Sequence, residues 1–217
     1  MGRLPAYDGP DRIPDIEVIM SVLPAWATDP EMLLITEEGY DALPEEVQKQ
    51  IEVIDERVIF CRSGGVEHNI VARRLANGFD AARPAEPCTR VVTDFEMHYQ
   101  RVRPRTRGFS FRRPDVVVHR CIPRGEKLHS DDVLLVVEVV SPGSEYIDTV
   151  DKHAEYATEG IPVYLVVHLD DELRVKIIQE YRLDWASGSY RRAEPHQEVL
   201  ILNEPFPVRI PFTDLDS

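Results

Sequence analysis

With 217 residues, 43% hydrophobic and 29% charged, the chain is long enough to bury the core of one globular domain. Its formal net charge of −14 runs against simple binding of a phosphate backbone, which draws on lysine and arginine, so where the positive charge lies matters more than its total. Cys61, Cys88 and Cys121 lie far apart without a C-x-x-C pair, indicating neither a disulfide framework nor a zinc knuckle and fitting a reducing, cytoplasmic setting; no run approaches the roughly 18 apolar residues of a membrane helix, and no export signal is read at the start.

Residues 1–30, rich in proline and acids without a clear period, are read as an irregular arm, and residues 31–217 as the folded domain. Residues 31–50 predict a short helix or two, and IEVIDERVIF (51–60) alternates like one half-buried strand that ends at the SGG of 63–65. In VEHNIVARRLANGF (66–79), Val71, Leu75 and Phe79 form a helical stripe, with Gly78 and Pro84 supplying the stop. RVVTDFEMHYQRV (90–102) has strand composition, while PDVVVH (114–119) and VLLVVEVV (133–140) are continuous apolar runs, the mark of strands covered on both faces. Asp148 can cap the next helix, whose stripe is Val150, Ala154 and Ala157 and whose close is Gly160; IPVYLVVH (161–168) follows as a buried strand. Strand, helix, strand over 133–168 reads as a βαβ crossover, and the remainder as antiparallel hairpins with a terminal strand or tail. The sum is an α/β domain with a mixed central sheet flanked by helices.

Glu138 is the anomaly, because it interrupts an apolar strand where an unpartnered carboxylate would cost several kcal/mol to bury. Asp115 opens another buried strand, and two carboxylates on neighbouring strands supply the hard oxygen ligands that Mg²⁺ prefers. Each alone has an ordinary explanation: Glu138 pairing with a buried arginine or ending its strand in water, Asp115 capping a turn. Lys152, on the crossover helix that packs back over the sheet, makes the pair more specific, although Asp148 and Glu155 offer it surface ion pairs worth roughly 0.2–0.5 kcal/mol each. RVRPRTRGFSFRR (101–113) carries six arginines and no acid, so against the net −14 the rest of the chain stands at −20. His119, His153 and His168 form no H-x-E or H-x-x-x-H pair for zinc and are read as polar edge residues. No G-x-S-x-G, G-x-x-x-x-G-K or G-x-G-x-x-G occurs, leaving serine hydrolase, nucleotidase and dinucleotide readings without a start.

RRPDVVVH followed by LLVVEVVSPGSEYIDTVDKHAEYATEGIPVYLVV resembles the core of the Uma-two endonuclease family, within the restriction-endonuclease-like PD-(D/E)XK nuclease superfamily. The likeness runs from about Leu33 to Phe212 and includes IEVIDERV and the EHNIV helix start. It implies that Asp115 is the PD aspartate, Glu138 the acid of the second half-motif, and Lys152 a lysine moved onto the helix, since Val140 stands where the superfamily pattern has lysine. It also offers Glu67 as an early-helix acid facing the metal, beside His68, which resembles a family-typical histidine. Glu67 is equally well read as a first-turn acid favoured by the helix dipole, and Glu52, which matches an early-strand acid of the family, as a solvent-facing strand residue.

The implied activity is metal-assisted hydrolysis of phosphodiester bonds in nucleic acid, with DNA the expected substrate. Mg²⁺ or Mn²⁺ would sit on Asp115, Glu138, the carbonyl of Val139 and Glu67, with Lys152 orienting the attacking water. Arg101, Arg103, Arg105, Arg107, Arg112 and Arg113 would meet phosphates rather than bases, or else form a solvated loop balancing the acidic remainder. The competing reading is a catalytically inactive nuclease fold used for binding or scaffolding, which the net acidity favours; a glycosidase carboxylate pair is a weaker third. Cutting both strands would need two sites, which is compatible with a homodimer.

Overall fold

The computed structural model describes residues 33–61, 64–100, 108–140 and 147–216, with the backbone alone at 147–150. The arm at 1–30, Arg101, Arg103, Arg105, Arg107 and the Asp148 side chain therefore lie outside the described residues. Ile35–Ser217 is one compact unit, opened by two short helices, α1 (Glu37–Asp41) and α2 (Glu45–Gln48). Thr36 caps α1 by accepting the Gly39 N–H at 3.1 Å.

IEVIDERVIF makes two strands instead of the expected one: β1 (Ile51–Ile54) turns back antiparallel into β2 (Arg57–Phe60). The turn residues Asp55 and Glu56 both take positive φ, 54° and 64°, as a two-residue hairpin turn requires. Asn-Gly would have advertised such a turn; Asp-Glu hides it inside an alternating pattern. The helix α3 (Val66–Ala82) runs through Gly78 rather than stopping there. A Cβ on Gly78 would come within 2.4 Å of Ile210 Cδ1, so this glycine serves close packing instead of termination.

The expected strand over 90–102 resolves into β3 (Thr89–Thr93) and the two-residue β4 (Met97–His98). Next come β5 (Phe111–Arg112), β6 (Val116–Arg120), β7 (Leu128–His129) and β8 (Val133–Val140). The crossover helix is α4 (Ile147–Glu159), which Gly160 closes at φ 77°, and β9 (Val163–Leu169) follows it. The chain then forms β10 (Val175–Asp184), β11 (Ser189–Arg192), the hairpin of β12 (Val199–Leu202) and β13 (Val208–Pro211), and α5 (Thr213–Asp216).

A six-stranded mixed sheet in the order β11-β10-β9-β8-β6-β3 forms the centre. Only β8 and β9 in it are parallel, joined over α4, which is the βαβ unit that the sequence predicts. Alternation along β8 sorts its side chains. Leu135, Val137 and Val139 face α3 and the β12–β13 hairpin, while Val136 and Val140 face α4. Leu75 and Phe79 of α3 are fully buried, contributing about 1.5–3 kcal/mol each. Cys88 and Cys121 form a disulfide across the ends of β3 and β6, a pairing that their separation of 33 residues gave no sign of.

A second, five-stranded sheet has the order β2-β1-β5-β4-β7. Its β5 lies inside the arginine-rich segment. Phe111 packs with Tyr40, Ile51 and Val53 on one face, with Phe109 against the same cluster. Arg112 points to the other face, the alternation of a strand.

Candidate active site

Asp115 precedes β6, and the β6–β8 register pairs Val116 with Val137, so one further step sets Asp115 opposite Glu138. Both have the parity of Val117 and Val136, whose side chains face α4. Two acids on neighbouring strands thus share the face to which the crossover helix brings Lys152 and Tyr156. Lys152 Nζ donates to Glu138 Oε2 at 3.0 Å, and Tyr156 OH donates to Oε1 at 2.6 Å. Glu138 is 8% exposed. Its burial pushes the carboxyl up to about 7, opposed by the Lys152 charge and the Tyr156 hydrogen bond and reinforced by the charge of Asp115.

Asp115 is gripped at both oxygens. Val139 N–H donates to Oδ2 at 2.6 Å, and His68 Nε2 lies 2.9 Å from Oδ1. Burial works to lower the His68 pKa, but the hydrogen bond and charge of Asp115 outweigh it and the net shift is upward. A Cβ on Gly64 would fall 2.3 Å from His68 Cδ2, so the glycine before α3 leaves room for this ring. His68 is not among the site residues that the sequence predicts; its signal there is its place in the EHNIV helix start, beside Glu67.

The structure brings Asp115, Glu138 and Lys152 together, with Val139 beside them. Because Val139 N–H points to the Asp115 side of β8, its carbonyl points the same way, past the start of β6. Glu67 is exposed on the first turn of α3, and it is His68 from that turn that reaches Asp115. Glu52, read as solvent-facing, is instead buried.

Arg112 and Arg113 require correction as surface contacts for nucleic acid. Arg112 is 3% exposed and donates to Glu155 at 2.9 Å through both Nε and Nη2, and to Glu52 at 2.8 Å through Nη1. Arg113 donates to Glu96 and Tyr40 at 2.6 and 3.1 Å. Burial in a low dielectric demands such pairing, and nearby carboxylates in the acidic chain supply it. Of the histidines, His119 is buried against the carbonyl of Arg120 and His153 packs on Tyr181 and Tyr190.

Among the described residues no group of three or more His, Cys, Asp or Glu is placed to hold a metal ion. The site therefore offers two carboxylates, with a backbone carbonyl alongside. That donor set suits a small hard cation that keeps several waters. Each carboxylate oxygen retains a second lone pair beside the donor it already accepts. The pKa of Glu138 is raised first by burial and further by the charge of Asp115, and a divalent cation between the two acids would oppose both effects.

The mixed central sheet with its single parallel β8–β9 pair and crossover helix α4 is that of the restriction-endonuclease-like fold. The family described as "Putative restriction endonuclease", Uma2, matches residues 37–213, and the chain belongs to that family. Among solved structures the chain is similar to "a putative nuclease belonging to DUF820" from Anabaena variabilis. The TM-score is 0.58 at 13% identity, covering 83% of this chain and 97% of the other. Comparison with curated proteins finds no match. Among the described residues no helix is long and apolar enough to cross a membrane.

Proposed function

We propose that the protein is a metal-dependent endonuclease that hydrolyses phosphodiester bonds, with DNA as substrate. The observation that most supports this is the contact of Lys152 Nζ with Glu138 at 3.0 Å, on the sheet face that Glu138 shares with Asp115. Asp115, Glu138 and the Val139 carbonyl would hold Mg²⁺. When bound, the ion lowers the pKa of a water and offsets charge on the scissile phosphate.

The chain's own groups do the rest. His68 and the Val139 N–H fix the Asp115 carboxylate from two sides, so its remaining lone pairs are aimed before ligand arrives. Tyr156 fixes Glu138 in the same way. Lys152 is the ammonium that orients the attacking water and meets the growing negative charge. Glu67, exposed on the first turn of α3, would contribute through an intervening water. Arg101, Arg103, Arg105 and Arg107 are the arginines left to contact phosphates once Arg112 and Arg113 are committed to buried pairs.

Calorimetry with Mn²⁺ and cleavage of plasmid DNA with Mg²⁺ test this on wild type and Asp115→Ala. Wild type binds metal and cuts. The variant loses at least about tenfold in metal affinity and about a thousandfold in cleavage. Metal binding unchanged by the substitution removes Asp115 from the site, and metal binding without any cleavage favours the scaffold reading that the net charge of −14 supports.

A further inference from the structure

Lysine two residues after the second acid would be placed by the strand itself. Here that position is Val140, and the ammonium comes from a helix, so Lys152 is placed only as well as α4 is docked. What docks α4 on this side is polar. Lys152, Glu155, Tyr156 and Glu159 recur at the spacing of one helical face, and all four are buried. Lys152 and Tyr156 hold Glu138 on β8. Glu159 accepts the Gln100 N–H at 3.0 Å and the Ser130 hydroxyl at 2.7 Å. Between them, Glu155 accepts both Nε and Nη2 of Arg112 at 2.9 Å and the Tyr99 hydroxyl at 2.8 Å. The third arm of the same guanidinium reaches Glu52 on β1, whose other oxygen accepts the Arg113 N–H, both at 2.8 Å.

We infer that Arg112 is a positioning residue for the cleavage reaction: its fork onto Glu155, anchored through Glu52 to the second sheet, sets where α4 carries the Lys152 ammonium. The inference rests on the reading of Lys152 as the group that orients the attacking water. Glu155 is three residues, less than one turn, from Lys152, so a shift of α4 at Glu155 moves Lys152 with it. The planar guanidinium is what the geometry uses. It makes two parallel bonds to one carboxylate and a third to another, and a lysine ammonium, a point donor, reproduces the charge without the fork. The five-stranded sheet thereby gains a role in catalysis although it holds none of the groups that meet substrate.

Arg112→Lys, Lys152→Met and the double variant separate positioning from mere stability. Cleavage of a DNA fragment with Mg²⁺ under saturating conditions gives kcat, titration of the DNA gives KM, and calorimetry gives Mn²⁺ affinity. Arg112→Lys lowers kcat by roughly tenfold to a hundredfold, as about an ångström of misplacement does. KM stays within about twofold of wild type, since no group assigned to the DNA is touched, and Mn²⁺ affinity changes far less than kcat, since both metal-binding acids remain. In the Lys152→Met background the same change has no further effect on kcat, because its route to the reaction is gone. A readout independent of activity is acylation by acetic anhydride followed by mass spectrometry. Lys152 is protected in wild type and becomes reactive in Arg112→Lys, relative to the exposed Lys49 in the same sample. If near-UV circular dichroism shows Arg112→Lys to be unfolded, Glu155→Gln takes its place with the same expectations. Full multiplication of the two kcat effects, or Lys152 protected as in wild type, overturns the inference. Absence of cleavage by the wild type overturns the nuclease reading instead, and the acylation pattern alone then decides whether Arg112 sets the place of Lys152.

Discussion

Glu96 and Glu138 are built alike and behave oppositely. Each accepts a tyrosine hydroxyl at 2.6 Å, from Tyr40 and Tyr156 respectively, and each touches a cation, Arg113 at 2.6 Å and Lys152 at 3.0 Å. At Glu96 burial alone would raise the pKa, but the His98 and Tyr40 hydrogen bonds and the Arg113 charge carry it down to about 2. At Glu138 burial wins, Asp115 adds its own negative charge, and the carboxyl stands at about 7. Glu96, the more exposed of the two, therefore sits in an ion cluster that outweighs its burial, while among the described residues the partners of Glu138 do not offset its deeper burial. That difference is what the proposed metal site predicts for Glu138 and not for Glu96.

The largest effect that sharpens this contrast is expected from Glu138→Gln. A carboxyl raised from 4.5 to about 7 in the folded protein binds protons more tightly folded than unfolded between those values. Wild-type stability from this group therefore falls as pH rises through that window, and it stays low above 7. The amide mimics the protonated form. Urea unfolding at pH 5 and pH 8 should show the variant gaining on wild type by about 1–3 kcal/mol between the two. Mn²⁺ should stabilise wild type at pH 8 and leave the variant unmoved. An equal stability difference at both pH values would break the contrast.

Glu96→Gln tests the other side with a smaller effect of opposite sign. A carboxyl depressed from 4.5 to about 2 contributes stability that is fully present above 4.5 and is lost as pH falls through 2. At pH 7 the substitution should cost about 1–2 kcal/mol, the partial exposure of Glu96 screening part of the loss that leaves the Arg113 guanidinium short of a charged partner. Acid unfolding curves of wild type and variant should converge near pH 2, and metal binding should be unchanged.

Much of this contrast was hidden in the sequence for a physical reason. Glu138 is legible because a charge inside VLLVVEVV violates a local pattern, and the end of α4 is legible from Gly160, but its apolar stripe misplaces the buried face: Ala154 is exposed, whereas Lys152, Glu155 and Glu159 are buried beside Tyr156 and Ala157. The βαβ unit followed from those two. Arg112 lies 43 residues from Glu155 and 60 from Glu52, so its burial is decided by partners that no window of sequence contains. It was read with its neighbours as surface charge, although Phe109-Ser110-Phe111-Arg112 carries the alternation of a strand. The β1–β2 turn was missed because Asp55 and Glu56 adopt positive φ without the residues that usually announce it. Helix position alone does not say which first-turn side chain reaches across to Asp115, so the sequence does not single out His68.

The smallest effects come from removing one hydroxyl on each side, and their pH dependence is what distinguishes them. Tyr40→Phe deletes the donor to Glu96 and should cost about 0.5–1.5 kcal/mol. That cost should be the same at pH 5 and pH 8, because Glu96 is ionised at both, and should shrink only toward pH 2. Tyr156→Phe deletes the donor to Glu138, where the partner itself changes state near pH 7. Its cost should be small at pH 5, where the hydroxyl meets a neutral acid, and larger at pH 8, where it meets a carboxylate. The same deletion pushes Glu138 further up, so the pH at which Mn²⁺ binding reaches half its full strength should rise in Tyr156→Phe and stay fixed in Tyr40→Phe. Calorimetric titrations from pH 6 to pH 8.5 read this directly. Identical pH profiles for the two phenylalanine variants would mean that the two tyrosine–carboxylate pairs are the same kind of site.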